Sequence, residues 1–224
     1  MFIGEHIDYT LFGCFPAAIE RDILIACAPR SAPVSPNPSI TDSSRSNELR
    51  PLSGSVTAEN LHGKYARQTF VPARKLSVTG TSGGKDVPEG AVHAEEWHLD
   101  IDTKQLRWES YVKAGYYVGP LFSVLYILLN VPTQGVLNHY FSSSTGAMDI
   151  HPVPVDLLVT GSVPAGSGLS SSAAMVVAST LAFLAVNDKL DRTNIEAQAI
   201  TKGKLVQMAM ENEKRVGEWE YLIL

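Results

Sequence analysis

Short apolar runs separated by polar turns dominate the first half of the chain and predict β-strands. Residues 23–28 (ILIACA) are the clearest run, and residues 2–28 as a whole suit strands joined by a polar turn around residues 5–8. From residue 65 to residue 106, apolar runs alternate with Gly, Pro and Asp, which predicts an antiparallel sheet.

The segment from residue 155 to residue 186 reads as strand, glycine loop and helix. Residues 155–160 (VDLLVT) predict the strand, residues 161–168 the loop, and residues 170–184 a helix that opens on three serines. A second helix is predicted from Thr193, where Thr193 and Glu196 form a capping box. Its apolar positions predict a buried face formed by Ile195, Ala199, Ile200, Leu205, Val206 and Ala209.

Two stretches break the pattern of packed protein. Residues 29–55 hold 5 Pro and 8 Ser in 27 positions, a composition that predicts an exposed loop or linker. Residues 118–132 (VGPLFSVLYILLNVP) are apolar, but a spanning helix needs about 20 apolar residues. Gly and Pro interrupt this segment, so a buried or spurious segment is favoured over a membrane span.

Composition and charge narrow the function classes. The chain has 224 residues, 45% of them hydrophobic and 18% charged, which suits one large globular domain or two small ones. The net charge of −5 argues against a nucleic-acid partner. Cys14 and Cys27 lie among apolar residues without a CxxC pair, which indicates thiols of a reduced compartment. With no signal-peptide pattern at residues 1–6, the expected location is the cytoplasm.

The glycine loop has the chemistry of a phosphate site. Gly166 and Gly168 allow the backbone to approach an anion, and the start of the following helix presents N–H groups and the positive end of its dipole. Serine hydroxyls in the first turn can cap the helix or bind a magnesium ion carried by a nucleotide. The loop lacks the Gly-Lys-Ser/Thr of a Walker loop and the third glycine of a dinucleotide fingerprint. On these residues alone, a phosphate loop and a simple serine-capped helix are equally supported.

A resemblance to a known family separates these alternatives. Residues 164–174 (PAGSGLSSSAA) closely resemble the nucleotide-binding motif of the GHMP kinases, and residues 4–9 (GEHIDY) resemble the signature of the galactokinases within that family, fungal ones above all. The resemblance implies an α/β (α+β) fold, the GHMP-kinase N-terminal domain, in which a mixed sheet packs with helices. It also implies ATP and Mg²⁺ as cofactors.

The same resemblance assigns candidate site residues. Two carboxylates and a histidine, Glu5, His6 and Asp8, would hold the sugar hydroxyls. The metal would lie at Ser172 or Ser171 with Glu213, for which Glu211 is the competing candidate. The ATP-binding residues would be Pro164, Gly166, Ser167, Gly168, Leu169, Ser170, Ser171 and Ser172.

The expected activity is ATP-dependent phosphorylation of galactose at the anomeric hydroxyl, which yields galactose 1-phosphate. Two alternatives stay open: an N-acetylgalactosamine kinase, and a galactose- and ATP-sensing transcriptional regulator without turnover. The run Ser172-Ala173-Ala174 favours an enzyme over the regulator. The resemblance also implies a monomer when complete, with a small-molecule sugar as partner and neither nucleic acid nor membrane.

Departures from the family predict an incomplete chain. The family's catalytic arginine would precede residue 1 and its aspartate would follow Gly217, so residues 1–224 are expected to form a truncated domain without the C-terminal lobe and with little turnover. Residues 118–134 are foreign to the family, and both they and residues 218–224 are expected to be translated intron sequence. We therefore expect an unstable product with exposed apolar surface.

Overall fold

The computed structural model describes residues 17–30, 52–78, 93–102, 105, 107–116, 136–141, 151–190 and 201–216. This part of the chain forms six strands and four helices. The strands are β1 (Ile23–Pro29), β2 (Val56–Asn60), β3 (Gln68–Phe70), β4 (Ala73–Val78), β5 (His93–His98) and β6 (Val155–Gly161). The helices are α1 (Trp108–Tyr116), α2 (Val136–Phe141), α3 (Ser171–Val186) and α4 (Lys202–Val216).

A mixed four-stranded sheet in the order β1-β6-β2-β3 is the centre of the fold. β6 runs antiparallel to β1, with Ile23 opposite Gly161, and parallel to β2, with Val56 opposite Val155. β3 pairs antiparallel with β2, while β4 and β5 form a separate antiparallel pair. The strands predicted at residues 23–28 and 155–160 are confirmed, and the structure shows that they are direct neighbours. The predicted mixed sheet packed with helices is also confirmed.

The core lies between the sheet and the helices. α1 packs against α3 and α4, and α3 packs against β1. Val56, Val155 and Leu157 enter the core from the sheet. Tyr116 and Phe183 meet them from the helices, with ring centroids 4.6 Å apart in a T-shaped arrangement. Edge-to-face aromatic pairs of this kind add specificity to the burial of apolar surface.

α1 and α3 approach each other closely at Gly115. A Cβ at this position would lie 2.5 Å from Cβ of Ser179 and 2.8 Å from the carbonyl oxygen of Val176. Oγ1 of Thr180 donates a hydrogen bond of 3.1 Å to the Gly115 carbonyl. The glycine therefore sets the distance between the two helices.

Hydrogen bonds tie both ends of the Ser- and Pro-rich stretch at residues 29–55 to the rest of the fold. Nε of Arg30, next to the end of β1, donates to Oδ1 of Asp156 at 2.7 Å, and its Nη2 donates to the Val155 carbonyl at 3.1 Å and to Thr57. At the other end, Ser55 is buried and its carbonyl accepts from the Val155 amide at 2.8 Å. The predicted exposed stretch is thus too long at its second end, where Gly54 and Ser55 are buried, and its residues 31–51 lie outside the described part.

The second predicted helix needs one correction. Its described part is α4, whose buried stripe consists of Met208, Ala209, Asn212 and Val216. Val206, predicted to be buried, is 65% exposed because the helical period turns it away from this stripe. The predicted cap at Thr193 and Glu196 lies outside the described residues.

The apolar segment at residues 118–134 also lies outside the described residues. Among the helices that are described, none is long and apolar enough to cross a membrane.

Candidate functional site

The glycine loop connects the end of β6 to the start of α3. Gly166 and Gly168 adopt positive φ angles of 69° and 70°, and Ser170 is also left-handed with φ 54°. Glycine tolerates this conformation without steric cost, whereas serine does not. The predicted loop of small residues is confirmed, except that Gly161 is the last residue of β6. Gly166 and Gly168 occupy positions that require a left-handed backbone.

Hydrogen bonds fix the loop at its β6 end and within its middle. At the β6 end, the Ser162 amide donates to the Asp22 carbonyl at 2.9 Å, and Nε2 of His62 lies 3.3 Å from the Gly161 carbonyl oxygen. Within the loop, Oγ of Ser167 donates to the Pro164 carbonyl at 2.8 Å. These contacts hold the loop across the ends of three strands.

The start of α3 faces the loop. The Ala174 amide donates to the Ser170 carbonyl at 3.0 Å, which is the first bond of the helix. The N–H groups of the preceding turn have no acceptor inside a helix, so they are suited to an anion. Ser170 occupies the N-cap in a left-handed conformation without a side-chain cap bond, so capping, one of the two roles open to the serine hydroxyls, is not seen at Ser170.

A hydroxyl and a carboxylate meet at the foot of the loop. Oγ of Ser172, in the first turn of α3, donates a hydrogen bond of 2.6 Å to Oε1 of Glu213 in α4. The structure thus brings together Ser172 and one of the two candidate glutamates. The side chain of the other, Glu211, lies outside the described part, as do Glu5, His6 and Asp8.

The pair suits a small divalent cation. Mg²⁺ takes oxygen ligands at about 2.1 Å in an octahedron, so two adjacent ligands lie about 3 Å apart. The two oxygens of Ser172 and Glu213 need to separate by only a few tenths of an ångström to reach that spacing. In the described ranges, no three His, Cys, Asp or Glu side chains converge. Mg²⁺ commonly takes only one or two protein ligands, with phosphates and water completing its shell.

Tyr111 is a neighbour of this pair that the sequence reasoning missed. It packs from α1 against the apolar cluster of Ala114, Val176, Ala209 and Val216. Burial, and then the negative charge of Glu213, raise the pKa of the Tyr111 phenol. No motif marks this tyrosine, because its position depends on how α1 packs against α3 and α4.

The remaining loop residues differ in exposure. Leu169 is 46% exposed and Pro164 is exposed, whereas Ser171 is half-buried at the first position of α3. Exposure of a leucine at the rim of a polar loop is compatible with contact to a ligand.

Comparisons with known proteins agree with this geometry. The family model "Galactokinase galactose-binding signature" matches residues 1–29, and "GHMP kinases N terminal domain" matches residues 133–217. The second match includes the glycine loop, Ser172 and Glu213, and the first includes Glu5, His6 and Asp8.

Curated relatives point the same way. The chain is 25% identical to a galactokinase of Dictyostelium discoideum over 96% of the chain and 28% of the relative. It is 29% identical to a galactokinase of Saccharomyces cerevisiae over 83% of the chain and 25% of the relative. A galactokinase of Candida albicans is 26% identical over 89% of the chain and 27% of its own length.

The chain spans less than a third of the length of these three relatives. All of them carry the same name, so the comparisons favour neither the N-acetylgalactosamine kinase nor the regulator. The chain is therefore similar to galactokinases at residues 1–29 and to the N-terminal domain of the GHMP kinases at residues 133–217, where the glycine loop follows a strand of the mixed sheet.

Proposed function

We propose that the protein takes part in the ATP-dependent phosphorylation of galactose at its anomeric hydroxyl, with galactose 1-phosphate as product. The observation that carries the proposal is the Ser172–Glu213 pair, an oxygen-donor pair at the foot of the glycine loop. The galactose-binding signature at residues 1–29 supports the choice of sugar.

The glycine loop would bind the phosphates of ATP. Positive φ at Gly166 and Gly168 opens the backbone, and the N–H groups of the first turn of α3 point toward the loop. Pro164, Ser167, Leu169, Ser170 and Ser171 would complete this contact surface. Such a surface holds the triphosphate in one orientation, and positioning is a major contribution to phosphoryl transfer.

Ser172 and Glu213 would hold Mg²⁺, while Ser171 is the second hydroxyl within the same turn. When bound, this ion neutralises charge on the phosphate oxygens. The residues themselves keep two oxygens of different helices at a fixed spacing. Glu5 and Asp8 would accept hydrogen bonds from the sugar hydroxyls, and His6 would donate or accept a further one.

In the proposed reaction, the anomeric oxygen of galactose forms a bond to the γ-phosphorus of ATP. The bond between that phosphorus and the oxygen shared with ADP breaks, and the hydroxyl proton leaves to solvent or to a base.

We further propose that the protein acts as a cytoplasmic monomer on free sugar. The free thiol of Cys27 supports a reduced compartment.

The test is a comparison of two serine-to-alanine variants in one helix. Ser172→Ala removes the hydroxyl that meets Glu213, whereas Ser179→Ala removes a hydroxyl that donates to the Met175 carbonyl at 2.8 Å within α3. Affinity for ATP is measured by calorimetry with Mg²⁺, and galactose 1-phosphate is followed by phosphorus NMR.

The expected result is that Ser172→Ala loses about 10-fold or more of the Mg²⁺-dependent affinity for ATP, with any turnover falling about 100-fold. Ser179→Ala should match the wild type in both. Wild-type protein that binds neither ATP nor galactose would refute the proposal. Preferential binding of N-acetylgalactosamine would refute the choice of galactose.

A further inference from the structure

The Ser172–Glu213 pair is supported by a small apolar cluster that joins three helices. Ala114 of α1, Val176 of α3, and Ala209 and Val216 of α4 are buried together. Val176 lies one turn after Ser172, and Ala209 lies one turn before Glu213, so these side chains share a face with the pair. The packing of this cluster therefore determines how far apart α3 and α4 hold the two oxygens.

Tyr111 is the largest side chain that borders this cluster, since the other members are alanines and valines and the only other neighbour among the described residues is Ile101. Its ring comes from α1, which contacts both α3 and α4.

We propose that Tyr111 is a positioning residue for the divalent cation that a nucleoside triphosphate brings to Ser172 and Glu213. The aromatic ring fills the space that α1, α3 and α4 share below the pair, and in this way keeps the hydroxyl and the carboxylate at ligand spacing. The inference rests on the proposed function, because it takes the pair as a cation site.

The small size of the cluster explains why the ring matters. Alanine and valine alone leave room for the helices to shift once a tyrosine ring is removed, and interiors relax only partly around such a loss. Oγ of Ser172 and Oε1 of Glu213 lie 2.6 Å apart, a few tenths of an ångström less than the spacing of two adjacent Mg²⁺ ligands in an octahedron. A shift of about 1 Å of either helix exceeds this difference. Residues that orient metal ligands typically change metal affinity by about 10–100-fold when they are replaced.

The experiment measures the affinity for ATP by calorimetry twice, with Mg²⁺ and with EDTA, and takes the ratio as the cation-dependent gain. The full chain is used as wild type and as Tyr111→Ala, Tyr111→Phe and Val112→Ala. Val112 is the matched control, since it is fully buried in α1 but belongs to the larger core cluster. We expect the cation-dependent gain of Tyr111→Ala to be about 10-fold smaller than that of the wild type. Its affinity for ATP in EDTA should equal that of the wild type. Tyr111→Phe retains the ring and should keep the gain, as should Val112→Ala.

The outcomes separate this inference from the proposed function. A wild type without any cation-dependent gain refutes the proposed function itself. The positioning role alone is overturned if the wild type shows the cation-dependent gain and Tyr111→Ala keeps it. It is also overturned if Tyr111→Ala loses affinity for ATP equally with Mg²⁺ and with EDTA. Equal losses in Tyr111→Phe and Tyr111→Ala also overturn it, since they assign the effect to the hydroxyl. If circular dichroism shows Tyr111→Ala unfolded, Tyr111→Leu replaces it, and full retention of the gain in that variant overturns the proposal.

Discussion

The hydroxyl of Tyr116 is a polar group inside the core. The side chain is fully buried, its ring packs on Phe183 and Phe70, and its hydroxyl has no hydrogen-bond partner in the structure as described. Burial, and to a smaller extent the nearby Cys27 thiol, raise the pKa of this phenol well above its usual value of 10.0. The ring therefore stabilises the core while the hydroxyl costs free energy.

Tyr116→Phe should increase the free energy of unfolding by about 1 kcal/mol, because it removes an unsatisfied buried group and keeps the ring. Urea denaturation at pH 7 measures the difference. A clear loss of stability would mean that the hydroxyl has a partner in the folded chain.

The same residue predicts alkaline sensitivity. Above about pH 10, unfolded chains lose the phenol proton that the folded chain retains, so the unfolded state binds fewer protons and stability falls as pH rises. In Tyr116→Phe, the part of the alkaline loss of stability that comes from this phenol should be absent. Denaturation midpoints of the two proteins at pH 7 and pH 11 provide the measurement, and equal losses in both would contradict the assignment.

At the residue scale, the sequence predicts the parts of the site that form a contiguous motif. Gly166, Gly168 and Ser172 follow each other along the chain, so their common location needs no knowledge of tertiary packing. Glu213 and Glu211 could not be separated in this way, because the choice depends on the rotation of α4 against α3. Tyr111 is absent from any motif for the same reason.

At the scale of elements, the contact between α1 and α3 depends on one missing side chain. The close approach at Gly115 leaves no room for a Cβ, and two of its nearest atoms, the Val176 carbonyl oxygen and the Thr180 amide nitrogen, are backbone atoms that cannot rotate away. This contact also fixes Val176, which lies in the cluster below the Ser172–Glu213 pair.

Gly115→Ala should therefore destabilise the protein by about 1–3 kcal/mol through overpacking. Gly203→Ala in α4 is the matched control, since a Cβ there meets nothing within 4 Å. Alanine is the better helix former by about 1 kcal/mol, so this control should be stabilised. Chemical denaturation of both variants tests the contrast, and equal effects would show that the two helices can move apart at little cost.

Helix and strand positions were predictable where the local sequence was distinctive. The strand at residues 155–160 and the helix after the serines appear as expected, because one has β-branched apolar residues and the other an uninterrupted helical run. Val206 was misassigned because an apolar side chain alone does not show which side of a helix is buried, and position 206 lies away from the stripe through residues 208, 209, 212 and 216. The stripe instead includes Asn212, a polar residue whose burial no hydrophobic pattern indicates.

At the scale of the whole molecule, the candidate site exists only in the folded chain. The loop follows β6 in the middle of the sheet, and Ser172 meets a glutamate 41 residues further along. Strand order and parallel pairing, which bring β2 beside β6, follow from packing of the complete chain and not from local pattern. A ligand that binds this site should accordingly favour the folded state over the unfolded state.

That linkage gives a prediction for global stability. A ligand at about 100 times its dissociation constant stabilises the folded state by about 2.7 kcal/mol. For a chain of this size, such a gain corresponds to a rise in melting temperature of about 5–10 °C. ATP with Mg²⁺ should produce this rise, ATP with EDTA a smaller one, and Mg²⁺ alone almost none, because the Ser172–Glu213 pair supplies only two ligands.

Thermal denaturation followed by circular dichroism measures these three conditions, with Ser179→Ala and Ser172→Ala run beside the wild type. The rise with ATP and Mg²⁺ should exceed the rise with ATP and EDTA in Ser179→Ala, whose hydroxyl donates to the Met175 carbonyl within α3. In Ser172→Ala this excess should vanish. A rise of equal size with Mg²⁺ and with EDTA in the wild type would mean that the loop binds phosphate without a cation at the pair. The hydrogen bond between α3 and α4 would then be a structural contact that joins the two helices and nothing more.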